Sequence, residues 1–185
     1  MPPHRITGIY RREGHFNLVE LKLRDQAQLF NSLDPSPFRE RDIDPDAAEY
    51  IVDAVRELHG HRQVKLVVYL PGPHEENLQE NLQESIRNYF HYREMIARFK
   101  VRQTLRLGRS SIMVGLLFLA LCNLIRLWMP VNGISMNTVR EGLLIIGWVA
   151  MWKPLEILLY EWWPLLADAG LFNRISRMPV EVRPD

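Results

Sequence analysis

Residues 110–125 read SSIMVGLLFLALCNLI, a run without a charge that Arg126 interrupts before LWMP follows. A helix from Ser111 to Met129 rises about 28 Å at roughly 1.5 Å per residue, close to the roughly 30 Å hydrocarbon thickness of a bilayer. It holds ten Leu, Ile, Val and Phe, each favouring insertion by roughly 0.3–0.6 kcal/mol. Asn123 opposes insertion. Arg126 sits near the far end, where its long stem reaches headgroups. A chain this short cannot wrap such a helix inside a soluble core. The stretch predicts a transmembrane span.

A second apolar segment is weaker. Gly142 to Trp152 reads GLLIIGWVAMW, then Lys153 and Pro154 precede LEILLYEWWPLL, which contains Glu156 and Glu161. Nine Leu, Ile and Val between Gly142 and Tyr160 favour insertion by roughly 3–5 kcal/mol in total. Lys153 and Glu156 oppose it by up to about 3 kcal/mol each at the bilayer centre. Three residues apart, they can pair on one helix face. Pro154 predicts a kink that frees a carbonyl near Ala150. The competing reading ends the span at Trp152 and lays residues 154–172 along the interface. The favoured expectation is a span that runs into an interfacial foot. Trp128, Tyr160, Trp162 and Trp163 carry the amphipathic rings that mark membrane interfaces.

The flanks orient the pair. Arg98, Lys100, Arg102, Arg106 and Arg109 precede the first segment, and Arg174, Arg177 and Arg183 follow the second. Between the segments, residues 130–141 hold Arg140 as their only Lys or Arg. Positive residues favour the cytoplasmic side, so a hairpin with both termini inside is expected. Met1 to Glu20 shows no apolar core of a signal peptide, which leaves targeting to the first span.

The chain has 185 residues and a net charge of +1, with 47% hydrophobic residues. That apolar content excludes disorder, and the near-neutral charge argues against nucleic acid as a partner. Residues 1–109 carry 17 of the 23 Lys and Arg and 16 of the 22 acids, whereas all five Trp fall later. The expected organisation is therefore a cytoplasmic domain over 1–109, then a transmembrane hairpin with a C-terminal interfacial segment over 110–185.

Within the charged half, Ile6 to Leu23 predicts two strands turning around Arg12 to His15 at Gly14. A short helix is expected over Gln26 to Leu33, and Asp34-Pro35-Ser36-Pro37 breaks the chain. Asp42-Ile43-Asp44-Pro45-Asp46 lacks the Gly and distant Glu of a calcium loop. It reads as a helix start, with Asp44 as cap, Pro45 in the first turn, and Asp46 and Glu49 at capping-box spacing. That helix runs to about His59, buries Ala47, Ile51, Val55 and Leu58, and stops at Gly60. Gln63 to Leu70 (QVKLVVYL) is a β-branched strand, closed by Pro71-Gly72-Pro73. From about Glu75 a long helix follows, with Leu78, Leu82, Ile86, Tyr89 and Ile96 at helical spacing, and no breaker precedes Gly108, so the helix can continue into the membrane span. The fold class is α+β, a small β-α-α-β-α domain with the first strand doubled as a hairpin, followed by the transmembrane pair.

No phosphate-binding glycine loop, zinc-protease or nucleophile-elbow motif occurs, so no catalytic, cofactor or metal residues are expected. His59 and His61 read as a solvated turn. Tyr89-Phe90-His91-Tyr92 reads as core aromatics, and Cys122, in lipid, is a poor nucleophile. One cysteine permits no internal disulfide and no cysteine-based zinc site. Residues 85–109 carry a net +6, a basic juxtamembrane stretch suited to anionic headgroups; residues 34–57 carry −5.

The segments LFNSLDPSPFRERDIDPDAAEYIV (29–52), VVYLP (67–71) and EGLLIIGWVAMWKPLEILLYEWWPL (141–165) resemble a family of uncharacterised bacterial two-span membrane proteins, over most of the chain from Leu18 to Val182. The resemblance implies a bacterial inner-membrane setting and transfers no functional residues.

The leading expectation is a non-catalytic membrane scaffold or accessory subunit that self-associates, Ser111 and Gly115 offering a close helix approach, or that joins a membrane complex. The alternatives are a small oligomeric channel or transporter using Asn123, Arg126, Lys153 and Glu156 as a shared polar path, and a protein that binds anionic lipid through Arg98, Lys100, Arg102, Arg106 and Arg109.

Overall fold

The computed structural model describes residues 10–31, 42–58, 63–72, 77–130 and 133–185. The expected features at Asp34–Pro37, His59–His61, Pro73 and Glu75 lie outside them. The protein is mixed α and β: strands β1 (Arg12–Glu13), β2 (Phe16–Lys22), β3 (Gln63–Leu70) and β4 (Val180–Pro184) form one sheet, in the order β1-β2-β3-β4. The helices are α1 (Pro45–Glu57), α2 (Leu78–Trp128), α3 (Ile134–Glu156) and α4 (Trp162–Ser176).

β1 and β2 pair antiparallel around a two-residue loop. Gly14 holds φ +59° there, a left-handed conformation that glycine adopts without steric penalty. β2 and β3 run parallel, joined through α1. α1 begins where the aspartates place it: the Asp44 carboxylate accepts from the backbone N–H of Asp46 and Ala47, and Pro45 fills the first helical position. The capping box at Glu49 does not form, because the residue three beyond the true cap is Ala47. The buried positions are Ala48, Ile51, Val52, Ala54 and Val55, with Leu58 just beyond; Ile51, Val55 and Leu58 are as expected, and Ala48 takes the place of Ala47.

α2 runs without interruption for 51 residues, from the charged half through the apolar run, as the lack of a breaker before Gly108 allows. Two features depart from the expected order. The segment after β2 is a single 3-10 turn, Gln26–Leu29, capped by Asp25, rather than a helix to Leu33. And the chain after the second apolar segment returns to the sheet, where β4 pairs parallel with β3, Leu66 opposite Val180 and Leu70 opposite Pro184. β3 thereby becomes an internal parallel strand. Its Leu66, Val67 and Val68 are fully shielded, as expected of a parallel sheet covered on both faces.

The chain accordingly divides into two compact units, residues 1–96 with 168–185, and residues 97–167. Charge alone places the division at 109/110 and assigns 168–185 to the hairpin. Sheet pairing assigns those last eighteen residues to the first unit. In that unit Leu82, Ile86 and Phe90 of α2 pack with Phe172 and Ile175 of α4 in the core, the rings of Phe90 and Phe172 lying 6.3 Å apart. Arg93 donates to the Tyr89 hydroxyl and stacks 4.9 Å from the Phe172 ring.

The second unit is an antiparallel helical hairpin. α3, a π-helical turn over Ile157–Glu161, and α4 continue one another. Pro154 therefore neither ends the helix nor begins a separate foot. The widened turn follows three residues after it and precedes Pro164, so two prolines that cannot donate to the ladder bracket it. Residues 129–133 separate α2 and α3, and Arg140, expected in a connecting loop, lies within α3. Both helices are long and apolar enough to cross a membrane. Their most apolar 18-residue stretches are only 11% and 22% buried, whereas a soluble core helix would be enclosed.

Candidate functional site

Glycines set the register of the hairpin. A Cβ added at Gly108 would meet Leu158 at 2.8 Å, one at Gly115 would meet Met151 at 2.8 Å, and one at Gly147 would meet Leu119 at 2.8 Å. The two helices approach closely only because these side chains are absent. Gly115, expected to serve contacts between chains, is covered by Met151 and Pro154 of its own chain. Cys122 is 4% exposed in the same seam, beside Gly147.

With the register fixed, the residues singled out in the sequence fall into separate levels. Arg98, Arg102, Arg106 and Arg109 recur at every third or fourth position of a continuous helix, and so form one stripe about 80° wide. All four side chains are exposed; Arg98 also has an interaction within the chain. Lys100 is exposed on the far side of the helix. Gly108 lies against Ile157 and Leu158, which brings the stripe level with an aromatic cluster. The Tyr160 and Trp163 rings are 6.5 Å apart and Trp162 meets Trp163 edge to face at 5.8 Å. The indole of Trp162 donates to the Leu158 carbonyl at 2.8 Å, satisfying a backbone group inside the π turn. At the other end stands Trp128, 84% exposed. From Arg109 to Trp128 the helix rises about 28 Å, one hydrocarbon thickness.

The polar residues between these levels do not converge. Lys153 Nζ reaches Glu156 at 3.2 Å, as the three-residue spacing predicts, and also Glu161 at 2.5 Å. Glu161 is eight positions on, which in a regular α-helix turns it about 80° away. The residue inserted by the π turn restores the alignment. The Lys153 side chain is 65% exposed, bordering a shallow groove with Ser111, Val114, Gly115 and Phe118. Arg126 stands about eleven residues, roughly 16 Å, along the hairpin from that level, and Asn123 is exposed on α2. The four expected members of one polar path thus belong to two levels.

The first unit has its own concave feature, missed in the sequence. An open cleft of about 630 Å³ lies against Phe16, Gln63, Asn173, Arg174 and Arg177. Arg174 donates to the Leu58 carbonyl at 3.4 Å; Arg177 is exposed. Among the described residues, the polar part of its lining is made of guanidiniums and amides. Arg183, expected only as a flanking cation, instead pairs with Glu181 at 2.7 Å on the sheet, and Lys65 reaches the same carboxylate at 2.7 Å. The two cations hold the Glu181 carboxyl down at about 2, Arg183 contributing most. Tyr10 is pushed up to about 12 by burial and by donating to Glu57 at 2.7 Å. Asp44, the centre of the acidic cluster, is occupied with the N-terminus of α1. Among the described residues no group of three or more His, Cys, Asp or Glu is placed to hold a metal ion.

No protein family, curated protein or solved structure matches this chain.

Proposed function

We propose that the protein is a non-catalytic membrane scaffold or accessory subunit, in which the 97–167 hairpin anchors an α+β unit at a membrane surface. The observation that carries this reading is the parallel pairing of β3 with β4 across an intervening apolar hairpin. Two strands of one sheet must lie on one side of a bilayer, so a hairpin between them crosses an even number of times. The basic stripe and the Tyr160, Trp162 and Trp163 cluster, level with each other, fit one membrane interface. Arg-rich flanks favour the cytoplasm for it, and the family resemblance favours a bacterial inner membrane.

The test combines extraction and labelling. The intact protein resists alkaline extraction, and in a Cys122→Ser background a membrane-impermeant maleimide reaches Asn137→Cys from one side and Asp53→Cys and Arg177→Cys from the other. Reactivity of residues 53 and 177 from opposite faces would overturn the topology. For the scaffold itself, mass measurement after purification in mild detergent finds a self-associated or partner-bound species; a strict monomer that retains no partner counts against it.

A second reading, binding of anionic lipid, is favoured by the alignment of Arg102, Arg106 and Arg109 on one face. Flotation of the full chain with vesicles tests it. A fragment ending at residue 109 is unsuitable, because it lacks β4.

A further inference from the structure

The burial pattern along both arms of the hairpin marks a seam. On α2 the shielded or half-shielded positions include Gly108, Gly115, Leu119, Cys122 and Arg126; on α3 they include Met151, Gly147, Leu143 and Arg140. Leu119 lies against Gly147, and seven residues are nearly two helical turns, which return to the same face. One such step forward from Leu119 reaches Arg126, and one step back from Gly147 reaches Arg140. Two arginines therefore occupy the seam at one level, at the end of the hairpin far from the basic stripe. Their sequence neighbours Ile125, Leu127, Val139 and Glu141 all face outward.

No acidic side chain among the described residues pairs with them. Between residues 110 and 152 the only other charge is Glu141, which points about 100° away from Arg140 around α3. Neither guanidinium has a hydrogen bond or ion pair among the described residues, and Arg140 Nε is buried without a partner. A buried donor without an acceptor is unfavourable, and so are two like charges at one level. Both features are relieved by an oxyanion, whose oxygens match two guanidinium forks. Arginines at this end also oppose the charge bias that orients the hairpin, so topology does not account for them.

We propose that Arg126 and Arg140 together bind the phosphate of a phospholipid headgroup in the leaflet away from the basic stripe. This rests on the hairpin spanning the bilayer, which puts the pair at headgroup depth, one turn or less from Trp128.

The full chain, delipidated in a phosphate-free zwitterionic detergent, is titrated with phosphatidylglycerol and followed by native mass spectrometry. Wild type retains one phospholipid. Arg126→Gln with Arg140→Gln weakens retention about tenfold or more, the scale of one lost charge-assisted hydrogen bond or more. Arg126→Lys with Arg140→Lys gives an intermediate loss, since lysine keeps the charge but not the fork; Glu141→Gln retains the lipid. Protection of Cys122 from maleimide verifies an intact hairpin in each variant, and the lysine pair decides the matter if the glutamine pair misfolds. Equal retention by wild type and the intact double variants overturns the site, as does displacement of the lipid by millimolar inorganic phosphate, which would assign the pair to a soluble anion. Alkaline extraction of the wild type is read separately: a chain that leaves the membrane refutes the spanning hairpin, not the pairing of the arginines alone.

Discussion

Removing residues 179–185 takes away β4 while leaving every helix intact. The side chain of Val180, 4% exposed, accounts for roughly 1.5–3 kcal/mol of lost burial. Leu66 N–H loses the Pro179 carbonyl at 3.0 Å, the Leu70 carbonyl loses Asp185 N–H at 3.2 Å, and the Gln83 side chain loses Val180 N–H at 2.8 Å. With the bonds between them, each worth roughly 1 kcal/mol net, the ladder contributes on the order of 4 kcal/mol. The exposed Lys22–Asp185 pair adds little. The total, about 6 kcal/mol, is comparable to the whole stability of a small domain, roughly 5–15 kcal/mol. In a parallel strand alternate amides face opposite neighbours, so Leu66, Val68 and Leu70 face β4. Hydrogen exchange of the full chain and the truncated chain, both in nanodiscs, should show those three amides losing about four decades of protection, at roughly 1.4 kcal/mol per decade. Amides of the hairpin, such as those of residues 113–125, serve as an unchanged reference. Undiminished protection at Leu66 in the truncated chain would refute the reasoning, because β3 would then be stable as an edge.

Other consequences can be measured in the same preparation. Asp44→Ala should lower the stability of the first unit by about 1 kcal/mol and speed exchange at Asp46 and Ala47, whereas Asp44→Asn should be nearly silent. Gly147→Ala should be tolerated, since the opposing Leu119 methyl can move. Gly147→Leu must displace Leu119 Cα and Cys122 Cβ, both 3.5 Å from the added Cβ, at about 1–3 kcal/mol; faster maleimide labelling of Cys122 reports the opening. Glu181 has a folded value of about 2 against an ordinary 4.5, so its contribution is complete above pH 4.5 and is lost as pH falls toward 2. Denaturation of wild type and Glu181→Gln should therefore differ at pH 5–7 and converge through that window; a difference that persists unchanged at pH 2 would contradict it.

What could be read from sequence was local. Asp44-Pro45 specifies a helix start within four residues, Gln63–Leu70 is dense in β-branched side chains, and Gly14 marks its turn. Lys153 and Glu156 follow from spacing alone. β4 escaped because VEVRP is five residues long, ends in proline, and pairs with a strand 114 positions earlier; as a sequence it is a polar tail with two arginines nearby. Glu161 was hidden by the π turn, which shifts the helical phase by one residue and realigns a carboxylate that regular spacing turns away. Arg140 looks like a loop cation in the sequence because its level depends on a register set by Gly115 and Gly147, and only the paired helices reveal it.

The position of the hairpin within the chain follows from the same sheet. A β-strand, a helical connection and a parallel β-strand form an ordinary crossover, and here the crossover between β3 and β4 is lengthened by the whole of residues 97–167. Because β4 follows the hairpin in sequence, β3 remains an edge of Val and Leu until the hairpin has been made. An uncovered apolar edge invites pairing with other chains, and pairing with β4 removes it. Completion of the first unit thereby waits on residues that follow the hairpin. A chain whose second helix failed to return would lack both the fourth strand and the Phe172 and Ile175 side chains that fill the core beside Phe90.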